Sequence, residues 1–170
     1  PLRRRVRRQR VGERDETSIK RAARGLQRLL GFQHDGEFCE IEKIPADIIS
    51  IQAEVGAVVT FDRSHLNQVM WNLCRNALRY CQRRTGSIVI NLRPGSRQGT
   101  IELSVIDDGA GIAEALRGHL FEPFFTTASS GTGLGLYIAR EICEANGATL
   151  DYVERSEGAQ FTLVFKGARA

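Results

Sequence analysis

Asn72-Leu-Cys-Arg-Asn76 is the first of four short segments on which the interpretation of this chain depends. The others follow in the order Asp107-Asp-Gly-Ala-Gly111, Phe121-Glu-Pro-Phe-Phe125 and Gly131-Thr-Gly-Leu-Gly-Leu136. Each segment is weak evidence by itself. In this order and spacing they predict a nucleotide pocket, in which a helix offers amides to a metal, a carboxylate meets a base, and glycine-rich turns enclose phosphates.

The four segments lie on an alternation of predicted helices and strands. Apolar periodicity predicts a helix over Ser64–Tyr80, capped by Asp62 or Ser64, and a second helix over Gly133–Asn146. The first helix carries an apolar stripe of Leu66, Val69, Leu73 and Ala77. The predicted strands are Ile48–Ala53, Ala57–Phe61, Gly86–Arg93, Thr100–Ile106, Ala148–Arg155 and Ala159–Lys166. This order predicts an α/β two-layer sandwich, in which helices cover one face of a mixed, mostly antiparallel sheet.

The net charge of +4 is concentrated at one end of the chain. Residues 1–10 hold six arginines, so the remaining 160 residues carry a net charge of −2. We therefore predict a basic arm and helical linker over residues 1–30, with a helix at Glu16–Leu30, and one catalytic domain over residues 31–170. The arm could touch nucleic acid or anionic lipid, but a solvated linker is the commoner case. Without interleaved aromatic residues or a recognition helix, no nucleic acid partner is expected.

The sequence composition also indicates the cellular compartment of the chain. No apolar run is long enough to span a bilayer and no signal peptide is present. The cysteines Cys39, Cys74, Cys81 and Cys143 lack Cys-x-x-Cys spacing, which favours reduced core residues over metal ligands. A cytoplasmic location is expected, although a longer parent protein could carry an anchor in the bacterial inner membrane.

Asn72, Asn76, Arg79 and Tyr80 are predicted to lie on one edge of their helix. An asparagine oxygen suits Mg²⁺ that phosphates also hold, and a guanidinium suits a terminal phosphate. The alternative is a set of polar residues on a helix surface.

Asp107 ends a predicted buried strand, where a carboxylate needs a partner. The exocyclic amine of adenine would supply one, and Gly109 and Gly111 would let the backbone approach a flat base. The alternative is a tight acidic turn.

Gly131, Gly133 and Gly135 precede the second helix, so their amides could hold phosphate oxygens. No Gly-Lys-Ser/Thr is present, which excludes a Walker-type loop. The loop before this helix, about Ala110–Thr132, is long enough to be a functional lid. Phe121, Phe124 and Phe125 within it could form a hydrophobic latch or part of the core.

With these segments the chain resembles the catalytic ATP-binding domain of sensor histidine kinases, which have the Bergerat-type fold shared with gyrase, the ninety-kilodalton heat-shock chaperone and MutL. The resemblance covers about Asp47 to Phe165 and is strongest to the nitrogen-regulation and type IV pilus sensor kinases. It implies Mg²⁺ at Asn76 with Asn72 beside it, the terminal phosphate at Arg79, and adenine at Asp107. The other residues that it places around ATP are Tyr80, Gly109, Gly111, Ile112, Phe121, Phe125, Gly131, Thr132, Gly133, Leu134 and Gly135.

Three positions depart from the family pattern. Asp108 stands where asparagine is usual, which would add negative charge near the phosphates. Ala128 replaces a common lysine, and Ala159-Gln160 replaces a Gly-Thr that contacts adenine in the family.

No segment resembles a phosphoacceptor box, and His34-Asp35 lacks its context. We therefore expect the chain to begin at or after the end of the dimerisation domain and to be monomeric, within a homodimeric parent. The implied partners are the histidine-containing dimerisation domain of the parent and the receiver domain of a response regulator.

Three functions differ in their chemistry. Hydrolases of this fold resemble one another in carrying glutamate at position 72, where this chain has Asn72, which cannot take a proton from water. A protein-histidine kinase needs no such base, because a neutral histidine nitrogen is already nucleophilic. The third possibility is a degenerate nucleotide-binding or regulatory interaction module, favoured by Asp108 and Ala128.

Overall fold

The computed structural model describes residues 41–54, 61–128 and 131–166. The predicted arm and linker over residues 1–30, residues 57–60 of the predicted second strand, His34 and Cys39 lie outside these ranges, as does the proposed domain boundary. Phe61 is described but is not part of a strand.

In the described residues five strands alternate with three helices, and a 3₁₀ turn at Ala46–Ile48 precedes the first strand. Each of these strands corresponds to a predicted one. The strands are β1 (Ile49–Ala53), β2 (Ile88–Pro94), β3 (Thr100–Asp107), β4 (Thr149–Val153) and β5 (Gln160–Lys166). The helices are α1 (Arg63–Tyr80), α2 (Glu114–Arg117) and α3 (Gly135–Ala145).

The strands form one sheet in the order β1-β2-β3-β5-β4. β1 and β2 are parallel because α1 returns the chain between them, whereas the other three pairs are antiparallel. The mixed, mostly antiparallel sheet is therefore confirmed. The pairing of β3 with β5, rather than with the next strand along the chain, places the end of β3 beside the start of β5.

The core lies between the sheet and the two longer helices. α1 buries the predicted stripe together with Met70, Cys74 and Leu78, and it packs against β3 and α3. Asp62 is its N-cap, since its Oδ1 accepts a hydrogen bond of 2.9 Å from the amide of His65. Cys143 is also buried, and this burial raises the pKa of its thiol to about 12. Cys74, Cys81 and Cys143 form no disulfide bond within the described residues.

None of the helices in the described ranges combines the length and apolar character needed to cross a membrane.

Candidate nucleotide-binding site

A cleft of about 740 Å³ opens between α1, the loop that follows β3, and the start of α3. It brings together residues from all four sequence segments. The predicted site residues that line it are Asn72, Asn76, Arg79, Tyr80, Asp107, Gly111, Ile112, Phe125, Gly131, Thr132, Gly133 and Gly135. The predicted site residues Gly109, Phe121 and Leu134 lie outside its lining.

The α1 wall faces the glycine-rich loop across this cleft. A methyl group added at Gly135 would lie 3.8 Å from Asn72 Oδ1, and one at Gly131 would lie 2.9 Å from Arg79 Nη1. The guanidinium of Arg79 therefore occupies the space that a side chain at position 131 would need. This end of the cleft combines amide oxygens, a cation and the N-terminus of a helix of eleven residues, which together suit a phosphate chain.

Asp107, at the end of β3, lines the part of the cleft that we call the base end. The residue is 5% exposed, and its Oδ1 accepts hydrogen bonds from the amides of Gly109 (2.9 Å) and Ala159 (3.2 Å). Burial raises the pKa of this carboxyl, and the two backbone hydrogen bonds act against the increase. Oδ2 makes no hydrogen bond within the described residues, so it can accept one from a ligand in the cleft.

Gly158 supports this end of the site, although the sequence did not single it out. It has a φ of +70°, and a Cβ there would lie 1.8 Å from the carbonyl oxygen of Asp107. Its amide also donates a hydrogen bond of 3.0 Å to the carbonyl of Gly109. Ala159-Gln160 replaces the Gly-Thr that contacts adenine in the family, but the preceding glycine still makes a close backbone contact with Asp107.

Replacing Gly158 by alanine is expected to destabilise the fold by roughly 2 kcal/mol or more, because a left-handed non-glycine residue costs about 1–2 kcal/mol and the Cβ also forces Asp107 away. Gly99→Ala is the matched control, since Gly99 has a φ of +76° but its Cβ would meet nothing within 4 Å. Urea denaturation and nucleotide titration measure both effects. Equal destabilisation by the two variants, with unchanged nucleotide affinity, would contradict a role for Gly158 in holding Asp107.

Asp108 does not line the cleft, whereas the sequence led us to expect its charge near the phosphates. Its side chain accepts hydrogen bonds from the amide of Gln82 (2.8 Å) and the hydroxyl of Ser87 (2.9 Å). Desolvation opposes ionisation, but these bonds and Arg84 hold the pKa of the carboxyl below its usual value. Asp108 therefore fixes the loop between α1 and β2, and its charge is compensated there.

The three phenylalanines of the loop have different environments. Phe121 packs edge-on against Phe161 at 6.2 Å and lies under the guanidinium of Arg140, so it belongs with the core. Phe125 lines the cleft, and Phe124 is 75% exposed. The three phenylalanines therefore do not act together, either as one hydrophobic latch or as one part of the core.

The phenylalanine segment also packs against the glycine-rich loop. Phe124 has a φ of +65°, and a Cβ at Gly133, whose φ is +69°, would lie 2.4 Å from the carbonyl carbon of Phe124. At the cleft mouth, the hydroxyls of Tyr80 and Thr127 are 3.3 Å apart. The segment from Phe124 to Thr127 therefore contacts both α1 and the glycine-rich loop. Its residues 129 and 130 lie outside the described ranges.

Sequence reasoning missed several lining residues. Leu116, Leu120 and Leu136 supply apolar surface to the cleft, but leucine at such positions is indistinguishable from core residues in the sequence. Glu42 and Arg75 also line the cleft. Arg75 lies within the first quoted segment, at a spacing of three from Asn72, which could have identified it.

The donor set fits a metal that phosphates hold in part. The described residues contain no group of three or more His, Cys, Asp or Glu side chains that could bind a metal alone. The cleft does offer the amide oxygens of Asn72 and Asn76 near the phosphate end. Mg²⁺ usually takes only one or two protein oxygens when phosphates and water complete its shell, so these residues fit such an ion.

Residues 61–169 match the protein family described as histidine kinase-, DNA gyrase B- and HSP90-like ATPase. The chain is 44% identical over 125 residues to the sensor protein kinase PilS of Pseudomonas aeruginosa, covering 71% of this chain and 24% of that protein. It is 36% identical over 110 residues to the sensor protein FixL of Bradyrhizobium diazoefficiens, covering 62% of this chain and 22% of that protein. The chain thus spans about a quarter of the length of these relatives.

Among solved structures, the chain is similar to the catalytic domain of the histidine kinase ThkA in a nucleotide-free form. The TM-score is 0.63 at 28% identity, and the match covers 88% of this chain and 92% of that domain.

Proposed function

This chain belongs to the family of histidine kinase-, DNA gyrase B- and HSP90-like ATPases, and from that premise we propose that it is the ATP-binding catalytic domain of a two-component sensor histidine kinase. It would transfer the γ-phosphate of ATP to a histidine on the dimerisation domain of its parent, for onward transfer to an aspartate in a response-regulator receiver domain. The parent would act as a homodimer at the cytoplasmic side of a bacterial membrane.

The observation that carries this proposal is the side chain at position 72. Asn72 lines the cleft opposite the start of α3, where the family's hydrolases resemble one another in carrying glutamate. An amide accepts no proton from water at neutral pH, so it cannot act as a general base. The carboxylates in the lining are Asp107, at the base end, and Glu42, which is bound by Arg75.

A histidine nitrogen needs no base to attack phosphorus, because it is nucleophilic when neutral. Phosphoryl transfer then depends on alignment and on compensation of the charge that spreads over the phosphoryl oxygens. Asn76, with Asn72, would hold Mg²⁺, which neutralises phosphate charge when bound. Arg79 would donate to the terminal phosphate, and the amides at Gly131, Gly133 and Gly135 would bind the chain of phosphates.

A degenerate nucleotide-binding or interaction module is the second candidate. Ala128 still favours it, because the lid lacks a cation there. Asp108 no longer does, since its carboxylate faces the loop that contains Ser87. The absence of measurable ATP binding in a titration with Mg²⁺ would favour this candidate over the kinase.

The kinase is tested by incubating the chain with Mg²⁺ and γ-labelled ATP, with and without a separately purified dimerisation domain of the parent. We expect little labelling and little phosphate release from the chain alone. Adding the second domain should give a label that is stable in base and labile in acid, as expected for phosphohistidine. Robust phosphate release by the chain alone, lost in Asn72→Ala, would establish a hydrolase instead. A label on His34 would contradict the expectation that the chain begins at or after the end of the dimerisation domain.

A further inference from the structure

Arg75 lies on the same face of α1 as the residues assigned to the phosphates. Asn72, Arg75, Asn76 and Arg79 are spaced at i, i+3, i+4 and i+7, and all four line the cleft. The resemblance to sensor kinases assigns a role to the other three residues and none to Arg75.

Glu42 holds Arg75 from outside the family match. Arg75 Nε donates to Glu42 Oε1 at 2.5 Å, and the carboxylate belongs to a helical turn well before residue 61, where the match begins. The Glu42 side chain is 19% exposed, whereas that of Arg75 is 59% exposed. The carboxylate is therefore mostly buried against the protein, whereas the guanidinium is exposed on the cleft wall.

The pair leaves most of the guanidinium available. Within the described residues, Arg75 bonds only through Nε, so its two terminal nitrogens can still donate four hydrogen bonds to an anion. A guanidinium fork suits phosphate oxygens, and fixing Nε reduces the side-chain freedom that would be lost on binding.

The repulsion between neighbouring cations also favours an anion beside Arg75. Arg75 and Arg79 are four residues apart on one helix, where like charges destabilise each other. Glu42 compensates one of the two charges. A terminal phosphate lying between the two guanidiniums would compensate both.

A purely structural role explains the pair less well. An ion pair with an exposed arginine adds little to stability. The segment around Glu42 is already anchored by the buried side chains of Ile44 and Ile48 and by the hydrogen bond from Thr85 Oγ1 to Asp47 Oδ2.

We propose that Arg75 is a second guanidinium, beside Arg79, that binds the terminal phosphate of ATP, and that Glu42 is the positioning residue that aims it. This inference rests on the proposed function. It adds a contact that distinguishes ATP from ADP, and it makes that contact depend on a residue before the family's domain.

The test compares ATP and ADP affinities by calorimetry with Mg²⁺. Arg75→Ala is expected to weaken ATP about tenfold, the loss of one charge-assisted phosphate contact, and to change ADP less than about twofold. Arg93→Ala is the matched control, because Arg93 also donates through Nε to a largely buried glutamate, Glu102, but lies outside the cleft lining. It should leave both affinities unchanged.

Glu42 is tested by two substitutions. Glu42→Ala should weaken ATP about threefold to fivefold with ADP unchanged, whereas Glu42→Gln, which keeps an acceptor for Nε, should restore affinity to within about twofold of wild type. Tighter ATP binding by Glu42→Ala would mean that the carboxylate competes with phosphate, and would overturn the positioning role. If the wild-type chain releases phosphate from ATP and Glu42→Gln does not, Glu42 acts as a general base for water. That result would also overturn the positioning role.

The outcomes separate this inference from the function on which it rests. If the wild-type chain binds no ATP, the proposed function fails. If it binds ATP but Arg75→Ala leaves the ratio of ATP to ADP affinity unchanged, the inference alone fails.

Discussion

Replacing Asn76 by alanine is expected to reduce Mg²⁺-dependent phosphotransfer to a supplied dimerisation domain by at least about a hundredfold. Losing even an outer-shell partner of a metal costs roughly tenfold to a hundredfold, so losing a direct oxygen ligand should cost no less. Asn76 lines the cleft in the middle of α1, where phosphates and an amide oxygen can share one ion. The rate is measured by transfer of label from γ-labelled ATP over a range of Mg²⁺ concentrations.

Asn67→Ala provides the control, because Asn67 is an asparagine of the same helix that lies outside the cleft lining. Thermal unfolding of both variants should stay close to that of the wild type, since Asn76 borders the core without being buried in it. A near wild-type rate for Asn76→Ala at low Mg²⁺ would show that the metal assignment is wrong.

The sequence predicted the elements well because their signals are local. The apolar stripe of α1 repeats at helical spacing, and the structure begins this helix one residue earlier than predicted and ends it at the predicted residue. Twelve of the predicted site residues line one cleft, which they reach from α1, from the end of β3 and the loop after it, and from the start of α3.

What the sequence could not supply depends on contacts between distant segments. The pairing of β3 with β5 brings Ala159 and Gly158 to Asp107, and neither strand carries a local signal for its neighbour. The orientation of Asp108 follows from hydrogen-bond donors more than twenty residues away. Glu42 meets Arg75 across thirty-three positions, which no helical period reveals.

Replacing Asp107 by asparagine is expected to weaken ATP about tenfold to a hundredfold while leaving inorganic triphosphate unaffected. Oδ1 accepts the amides of Gly109 and Ala159, so the asparagine should keep its oxygen there and turn its amide nitrogen into the cleft. That nitrogen then faces the exocyclic amine of adenine. Because both groups are hydrogen-bond donors, the hydrogen bond to adenine is lost. A charge-assisted hydrogen bond to a buried group is worth roughly 1.5–3 kcal/mol, which corresponds to the stated loss.

The same substitution should change stability in the opposite direction. Burial raises the pKa of Asp107, so the folded chain binds this proton more tightly than the unfolded chain does. The unfolding free energy of the wild type therefore falls as pH rises from the unfolded pKa through the raised folded value. At pH 7 the asparagine removes this penalty and keeps both backbone hydrogen bonds, so the ligand-free melting temperature of Asp107→Asn should equal or exceed that of the wild type.

The advantage of the variant should shrink as pH is lowered through the raised pKa, where the wild-type carboxyl also becomes neutral. Titrations with ATP, GTP and inorganic triphosphate, together with melting curves from pH 4 to pH 7, measure both effects. Since the turned amide can donate to the carbonyl oxygen of guanine, the preference for ATP over GTP should fall. Equal losses of affinity for ATP and GTP would show that Asp107 does not recognise adenine. A variant that melts below the wild type at pH 7 would show instead that Asp107 serves the fold, because the loss of ATP would then follow from a damaged site.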